Sequence, residues 1–542
     1  MNTLDYIPRK KMKLLIFILI SLSNIFCNFN VNRNIIPEYL PILSKLFYSS
    51  SLSIVYPSST LQFTQNQEIT TQTPTLNFSP KSCTSSISLP TGLTLDSTNC
   101  SLSGTPTYYF IPSDVTITAS DGNNTASTII NLQVKPVQFT KLNGGPSGTL
   151  NSKGLTYSGN YYYLSLTTDV TVDGLSKIGT LDFIFSKFDL AGNRLWTINK
   201  GLSGLIVKPI GRHGIDSQGN LYVTGYTSGN LCGTGLVGTN DLFVFKISTE
   251  GSFIYCKSLG VAGGSIVAYN IVLDSSDNIY ITGTSNAAFG GNTLTGLLDI
   301  FLVKLDSNGN HLWTKQFGAV NAQTYPYGIN VDSSGNVYLA GHCWGSLFGY
   351  AEIGTYDAFV SKFDPSGNLL KSYSTGAAGV GTAFRDVVLD ANGNVYTFGY
   401  TEGSINGNTL SGTNDALILK FDSSLNVLWT KQFGGGATRG YGGLIDSENN
   451  VYMTGHTTGS LPGHTLIGAR DFWLVKYDSN GNLLNSAQLG NTSATIYSLY
   501  VVRNVFGQFL IAGIISGNGY DGNSLNGTVD YLITTKSSDI IK

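Results

Sequence analysis

Residues 327–376 read YGINVDSSGNVYLAGHCWGSLFGYAEIGTYDAFVSKFDPSGNLLKSYSTG. GINVD is a short strand, DSSGN a turn and NVYLAG a second strand. A loop of about fifteen residues leads to Tyr356. DAFVSKFD then alternates with period two, as a third strand does. DPSGN turns the chain into LLKSYSTG, the fourth. In both turns Asp or Ser bonds to nearby backbone amides, and Gly or Asn supplies the left-handed conformation that closes a hairpin. The stretch is one four-stranded antiparallel sheet.

Outward from this copy the same pattern recurs. Asp182, Asp241, Asp299, Asp357, Asp415, Asp471 and Asp530 follow one another at steps of 59, 58, 58, 58, 56 and 59 residues. Each opens an apolar run, and in the first six copies a lysine stands five residues on (Lys187, Lys246, Lys304, Lys362, Lys420, Lys476). The seventh run, DYLITTK, is one residue longer and ends at Lys536. A fixed period means one supersecondary unit repeated. Seven four-stranded units predict an all-β chain with a seven-bladed β-propeller. The seventh copy stops after its third strand, while FTKLNGG at Phe139–Gly145 matches WTKQFGG at Trp429–Gly435. The segment 137–145 is therefore expected to complete the last blade of a propeller spanning 137–542. Closure removes the sheet edges that invite aggregation.

The paired GNxYxxG and DxFxxK patterns, on a step of about 58 residues, resemble the bacterial SBBP β-propeller repeat over roughly 137–542. The resemblance implies the fold and no particular activity, since propellers serve as enzymes, binders and scaffolds. Ahead of it, residues 52–136 hold the strand-like runs SIVYP, LQFTQ, VTITAS and TIINLQV around ISLPTGLTLDSTNCSLSGTPT at 87–107. The LPxGLxLD…SGTPT signature is similar to immunoglobulin-like domains of bacterial surface proteins and implies a small β-sandwich. Cys83 and Cys100 flank LPTGLTLD and are a candidate disulfide. Asp96, Asp114 and Asp121 stand apart, so the calcium sites of cadherin-type sandwiches are not carried over.

At the N-terminus, Arg9–Phe26 sets an arginine and three lysines before a short apolar run. This has the form of a secretory signal over 1–27, with translation expected to start at Met12. Cys27 stands where a bacterial lipoprotein carries its lipid, although Asn24 and Phe26 depart from that pattern; plain secretion is the alternative. Residues 28–51 read as a tether. The expected destination is the outer membrane or cell surface if Cys27 is lipidated, and otherwise the periplasm or medium; a lipid on Cys27 is the one membrane attachment expected.

Composition narrows the partners. Charged residues are 12% of the 542, Gly numbers 64 and Tyr 30, and net charge is −2. Nothing electrostatic favours nucleic acid or an anionic membrane surface. Cys232, Cys256 and Cys343 lack CxxC spacing and read as small buried residues or free thiols rather than a zinc site. The DSNGN turns lack the later acids of a calcium loop. No nucleophile elbow, HExxH, P-loop or dinucleotide motif appears, so no catalytic residue, metal or cofactor is expected.

In an up-and-down blade the tight one–two and three–four turns share one face, and the long two–three and four–one loops share the other. Any site is expected on the long-loop face. The four–one loops bring Arg212, His213, Tyr269, Tyr325, Tyr327, Arg385, Arg439, Tyr441 and Tyr497 to the channel mouth by register. Aromatic faces with arginines suit sugars, peptides and carboxylates; alternatively the same groups fill the channel. His342 and His456 follow Gly341 and Gly455, where other copies carry Tyr226 and Tyr400, and read as aromatic-like structural residues. The repeat lysines are expected to lay their stems over apolar blade surface. Asp386, Glu352 and Glu402 are the acids available for chemistry. The leading expectation is an exported surface protein presenting a protein- or glycan-binding site. The alternatives are a polysaccharide hydrolase or lyase at the mouth, and a structural module without a ligand.

Overall fold

The computed structural model describes residues 51–144, 150–172, 174–526 and 528–537. The expected signal, Met12, Cys27 and the tether up to residue 50 lie outside the described residues. The described residues form strands and turns without a helix.

In the first domain, Thr60–Thr64, Thr125–Lys135, Phe110–Ser120 and Ser82–Ser85 lie side by side in one sheet, the first pair parallel. Leu93–Leu95 pairs with Leu102–Gly104 in a separate ribbon. The LPxGLxLD…SGTPT signature makes that ribbon. Gly92 and Gly104 have φ of 92° and 117°, and a Cβ on either would strike a carbonyl of the opposite strand. Asp96 closes the turn between the strands by accepting the amides of Thr98 and Asn99. The Cys83–Cys100 disulfide, with Cα atoms 5.3 Å apart, ties ribbon to sheet beside buried Val115, Ile117 and Leu132.

Beyond it stand seven sheets of the repeat pattern among the described residues, the first six with their strands in chain order. The fourth is representative: Thr324–Val331, Val337–Cys343, Asp357–Phe363, Leu369–Thr375. In the second, the innermost strand is broken into Val207–Pro209 and Gly214–Ile215. In the seventh, Thr140–Asn143 pairs antiparallel with Val529–Lys536, Leu142 opposite Leu532. From the second sheet onward each innermost strand packs on the next, Val207–Pro209 packs on the second and third strands of the first sheet, and Thr495–Arg503 packs back on Leu150–Ser158. The circle is thus closed by strands from both ends of the repeat region. The second and third strands are buried on both faces, so they read as nearly continuous apolar runs. The core lies between neighbouring sheets, as where Tyr338 and Val360 meet Phe384, Val387 and Leu417.

The repeat aspartate organises each seam. Asp182, Asp241, Asp299, Asp357, Asp415, Asp471 and Asp530 are buried. In six copies the carboxylate accepts two backbone amides of the preceding loop, four and three residues back; in Asp299 these are Thr295 and Gly296, both at 2.7 Å. Asp530 accepts the Asn526 amide in the same way. In those six copies the nearer donor is a glycine: Gly179, Gly238, Gly296, Gly354, Gly412 and Gly468. Gln316, Gln432 and Gln488 of the fourth strands add a third bond. The glycine that ends each fourth strand leaves room for the clamp: a Cβ at Gly144, Gly201, Gly260, Gly318, Gly376, Gly434 or Gly490 would overlap the Asp carboxylate. The loop so held pairs with the next blade. The carbonyl before the Asp accepts the first-strand amide of the following sheet, as in Thr324 N to Leu298 O at 2.9 Å and Thr382 N to Tyr356 O at 2.9 Å.

The repeat lysine serves the opposite end of the same strand. Lys187, Lys304, Lys362 and Lys420 donate to carbonyls in the three–four turn of the next blade: Thr249, Pro365, Ser423 and Ser479. Each also sits over a second-strand tyrosine, from Lys187 on Tyr161 at 3.8 Å to Lys420 on Tyr396 at 5.2 Å. The lysines are therefore inter-blade ties with their own carbonyl partners, a more specific role than the expected cover for apolar surface. In the DSNGN-type turns the Asp oxygens bond within the turn; Asp306 accepts the amides of Asn308 and Asn310 and the Asn310 side chain. Two of the three cysteines expected to be small buried residues or free thiols are instead bonded to each other. Cys232 and Cys256 form a disulfide that staples the long loop of the second sheet to its outer strand, and Cys343 is the buried free thiol.

Replacing Asp299 by Ala leaves two enclosed amides without acceptors, each costing roughly 1–3 kcal/mol. Stability by urea unfolding should fall by about 2–5 kcal/mol, with faster hydrogen exchange at Thr295, Gly296 and Thr324. A separate expectation concerns closure: deletion of 137–145 should lower the melting temperature of the whole ring, and a variant that melts like the parent would contradict the pairing at the seam.

Candidate functional site

The innermost strands of the third to seventh sheets carry a β-bulge at one shared position. The register slips between Ala268 and Asn270, Pro326 and Gly328, Phe384 and Asp386, Gly440 and Gly442, and Ser498 and Tyr500. The extra residues are Tyr269, Tyr327, Arg385, Tyr441 and Leu499. A bulge re-aims the side chain it carries. All five line one cavity of about 130 Å³ on the ring axis, with Arg212, Asn270, Asp386 and Tyr500.

An ion pair makes the cavity floor. Arg212, from the second sheet, donates through Nη2 to Asp386 Oδ2, from the fifth. The same guanidinium donates to Gly443 O at 2.8 Å, and Gly443 N donates to Asp386 Oδ2 at 3.0 Å. Burial pushes the Asp386 carboxyl above its ordinary value, against the pull of Arg212 and the backbone amides. Arg212 also lines a second crevice, with Leu444, Ile445 and Arg503, toward the tight-turn end of the strands. The axis is thus shut between two recesses. His213 belongs to the second one. It is buried, bonds Ser165 Oγ through Nε2 at 2.9 Å and meets Phe185 edge-on at 4.9 Å. Of the neighbours Arg212 and His213, the first is committed to the floor and the second lies beneath it, because the innermost strand breaks around Gly211.

From the cavity an aromatic and cationic crescent runs across the third to seventh sheets. Tyr269 meets Tyr325 and Tyr327 edge-on at 6.3 and 5.6 Å. His342 stacks on both Tyr325 and Tyr327 at 5.4 Å, with Trp344 at 4.5 Å and Tyr356 at 4.9 Å. The Arg385 guanidinium lies 4.0 Å over Tyr327 and donates to Tyr400 Oη at 3.0 Å. Arg439 covers the other side of Tyr400 at 4.6 Å and reaches Glu402 at 3.8 Å. Beyond, Tyr441 and Tyr497 flank His456 at 5.2 and 4.8 Å, and Arg470 lies 4.2 Å over Tyr497. Eight of the nine expected side chains share this crescent or its cavity, Arg212 at the floor, and His213 alone lies outside. Trp344, Tyr356, Tyr400 and Arg470 were absent from the expected set. Tyr356 and Arg470 directly precede the repeat Asp, a position readable in every copy, whose carbonyl makes the seam bond and whose side chain turns to the mouth.

Glu402 is held by Tyr356, Asn414 and Arg439. Arg385 Nε is closed from solvent without a hydrogen-bond partner, and among the described residues no carboxylate pairs with Arg385. His213, His342 and His456 are neutral: burial holds each imidazole down at about 3, with nearby arginines helping at His342 and His456. Neither nitrogen of His342 has a hydrogen-bond partner among the described residues. It packs as an aromatic ring would. No group of three potential metal ligands comes together among the described residues.

The histidines link stability to pH. An unfolded histidine, with a pKa of about 6.5, binds a proton where these buried ones do not. Their contribution is therefore complete above pH of about 6.5 and is lost as pH falls toward 3. Each contributes a slope of up to about 1.4 kcal/mol per pH unit. Between pH 6 and 4 the melting temperature should fall more steeply for the parent than for His342→Phe; parallel curves would contradict a neutral buried His342.

Comparison with known proteins agrees with this architecture. Residues 254–290, 312–349 and 428–462 match the family model of the SBBP beta-propeller repeat, and residues 44–135 match the one described as "Putative Ig domain". An uncharacterized WD repeat-containing protein of Acanthamoeba polyphaga mimivirus is 23% identical over 436 residues, covering 60% of this chain and 30% of the viral protein. The chain thus spans less than a third of that relative's length. Among solved structures, a PL25 ulvan lyase is 13% identical with a TM-score of 0.44, over 74% of this chain and 98% of its own. A quinonprotein alcohol dehydrogenase-like protein from Bacteroides thetaiotaomicron is 12% identical with a TM-score of 0.37, over 80% and 94%.

Proposed function

We propose that this chain, which carries SBBP propeller repeats behind an Ig-like domain, is an exported binding protein whose long-loop face takes a glycan. The continuous crescent of aromatic rings and arginines carries the reading: Tyr325, Trp344, Tyr356 and Tyr497 are partly exposed and rest on buried neighbours such as His342. Partly exposed rings held by their neighbours give large contact at little entropic cost. Sugar rings present C–H faces to them and hydroxyls to the arginines and Glu402. Two disulfides, Cys83–Cys100 and Cys232–Cys256, support an oxidising compartment and so export, together with the apolar run after Arg9. In this arrangement the Ig-like domain is a spacer.

A hydrolytic or eliminating site is less well served. Asp386 and Glu402 are each engaged by an arginine, Arg212 and Arg439. Tyr400 is 4% exposed and already accepts from Arg385. These groups hold one another rather than wait for a reacting atom. The binding reading is tested on an array of glycans and matrix proteins. A saturable glycan should be bound, and the combined change Tyr325→Ala, Trp344→Ala and Arg439→Ala should weaken it at least tenfold. Full retention would move the site off this face, and a protein-only hit would replace glycan as the ligand class.

A further inference from the structure

Among the described residues Arg385 is a cation without a carboxylate counter-charge. It stands on a bulge at the wall of the axial cavity, its Nε closed from solvent and unbonded, its Nη2 given to the Tyr400 hydroxyl. Taking a guanidinium out of water is costly unless an anion compensates it. The neighbouring arginine has such an anion: Arg212 pairs with Asp386 at the floor. Around Arg385 the walls are tyrosines, Tyr327 beneath it at 4.0 Å, with Tyr269 and Tyr441 across the cavity. The backbone bulge, not the side chain alone, places it there, so the exposure of charge to this space is built into the fold.

We propose that the axial cavity is a subsite for a single carboxylate, and that the ligand is a glycan bearing a uronic acid. The sugar class rests on the glycan reading above. The site offers one uncommitted positive charge, which matches a monoanion. The guanidinium fork fits the two coplanar oxygens of a carboxylate. The cavity, at about 130 Å³, is close to the roughly 150 Å³ voids that accept a benzene ring, enough for a carboxylate and the carbons next to it. The Tyr327 and Tyr441 rings then face the sugar, whose remaining units continue onto the crescent.

The test uses the intact chain, with D-glucuronate, D-glucose and acetate as probes in calorimetric titration and thermal melting. D-Glucuronate should bind and raise the melting temperature, D-glucose should do neither, and Arg385→Met should weaken D-glucuronate at least tenfold. Arg385→Lys, which keeps the charge and loses the fork, should weaken it several-fold. Without ligand, Arg385→Met should melt no lower than the parent, since the partly buried charge it removes has no carboxylate partner among the described residues, which offsets the lost contacts to Tyr327 and Tyr400. Equal response to D-glucuronate and D-glucose, or unchanged D-glucuronate binding in both variants, would overturn the subsite. An Arg385-dependent response to acetate as strong as to D-glucuronate would keep the carboxylate site and overturn the uronic acid. Glycan binding on the array that is indifferent to Arg385 would overturn the subsite while leaving the glycan reading in place. An array without glycan hits, beside Arg385-dependent D-glucuronate binding, would uphold the subsite and remove only the polymer.

Discussion

A buried carboxylate accepting the amides of the loop behind it is the interaction on which this molecule turns. In six of the copies it converts a glycine-rich loop of variable sequence into a fixed shape, and Asp530 does the same through Asn526. The loop then offers its last carbonyl to the next blade, so the clamp sets the geometry between sheets as well as within one. Its demands account for much of the repeat: the glycine three residues before each described clamp, and the glycine closing the fourth strand, where a Cβ would overlap the carboxylate. The lysine five residues on ties the same seam at the other face. The third strand is thus a strut with a polar anchor at each end and an apolar body between.

The mouth follows from this frame. Because the clamp fixes the residue before each Asp, Tyr356 and Arg470 project to the axis side of the long-loop face. Because each innermost strand from the third sheet onward bulges at one position, a ring of residues turns toward the axis. Arg212 and Asp386 close the axis by pairing across it, leaving a shallow bowl rather than a tunnel. A bowl of tyrosines and arginines held by rigid strands is pre-organised for binding, and loses little side-chain freedom when it is occupied.

Much of this was legible beforehand. The step of about 58 residues, the Asp-Asn-Gly turn chemistry and the unfinished seventh copy are local or periodic signals, and the strands, turns and closing segment follow from them. The glycines and cysteines of the LPxGLxLD…SGTPT segment were readable for the same reason: their partners lie close in sequence. What escaped reading depends on the closed ring or on one unrepeated event. Arg212 and Asp386 stand 174 residues apart and meet only across the axis. The lysine partners are in the next blade, about 60 residues on. His213 leaves the mouth because one innermost strand is interrupted at Gly211, whose φ is 84°. Cys232, in the long loop, pairs with Cys256 of the outer strand, a bridge that no other described copy repeats. Tyr356 and Arg470 were visible as a position but not as a direction, since the clamp that aims them is a side chain bonding to backbone.

The most direct measurement is a crystal structure of the intact chain soaked with an oligosaccharide that ends in glucuronic acid. The account predicts the terminal carboxylate in the axial cavity, bonded to Arg385 above the Tyr327 ring, with the following sugars over Tyr325, Trp344 and Arg439. Sugar density on the tight-turn face or the outer strands, with the axial cavity holding only solvent, would contradict it.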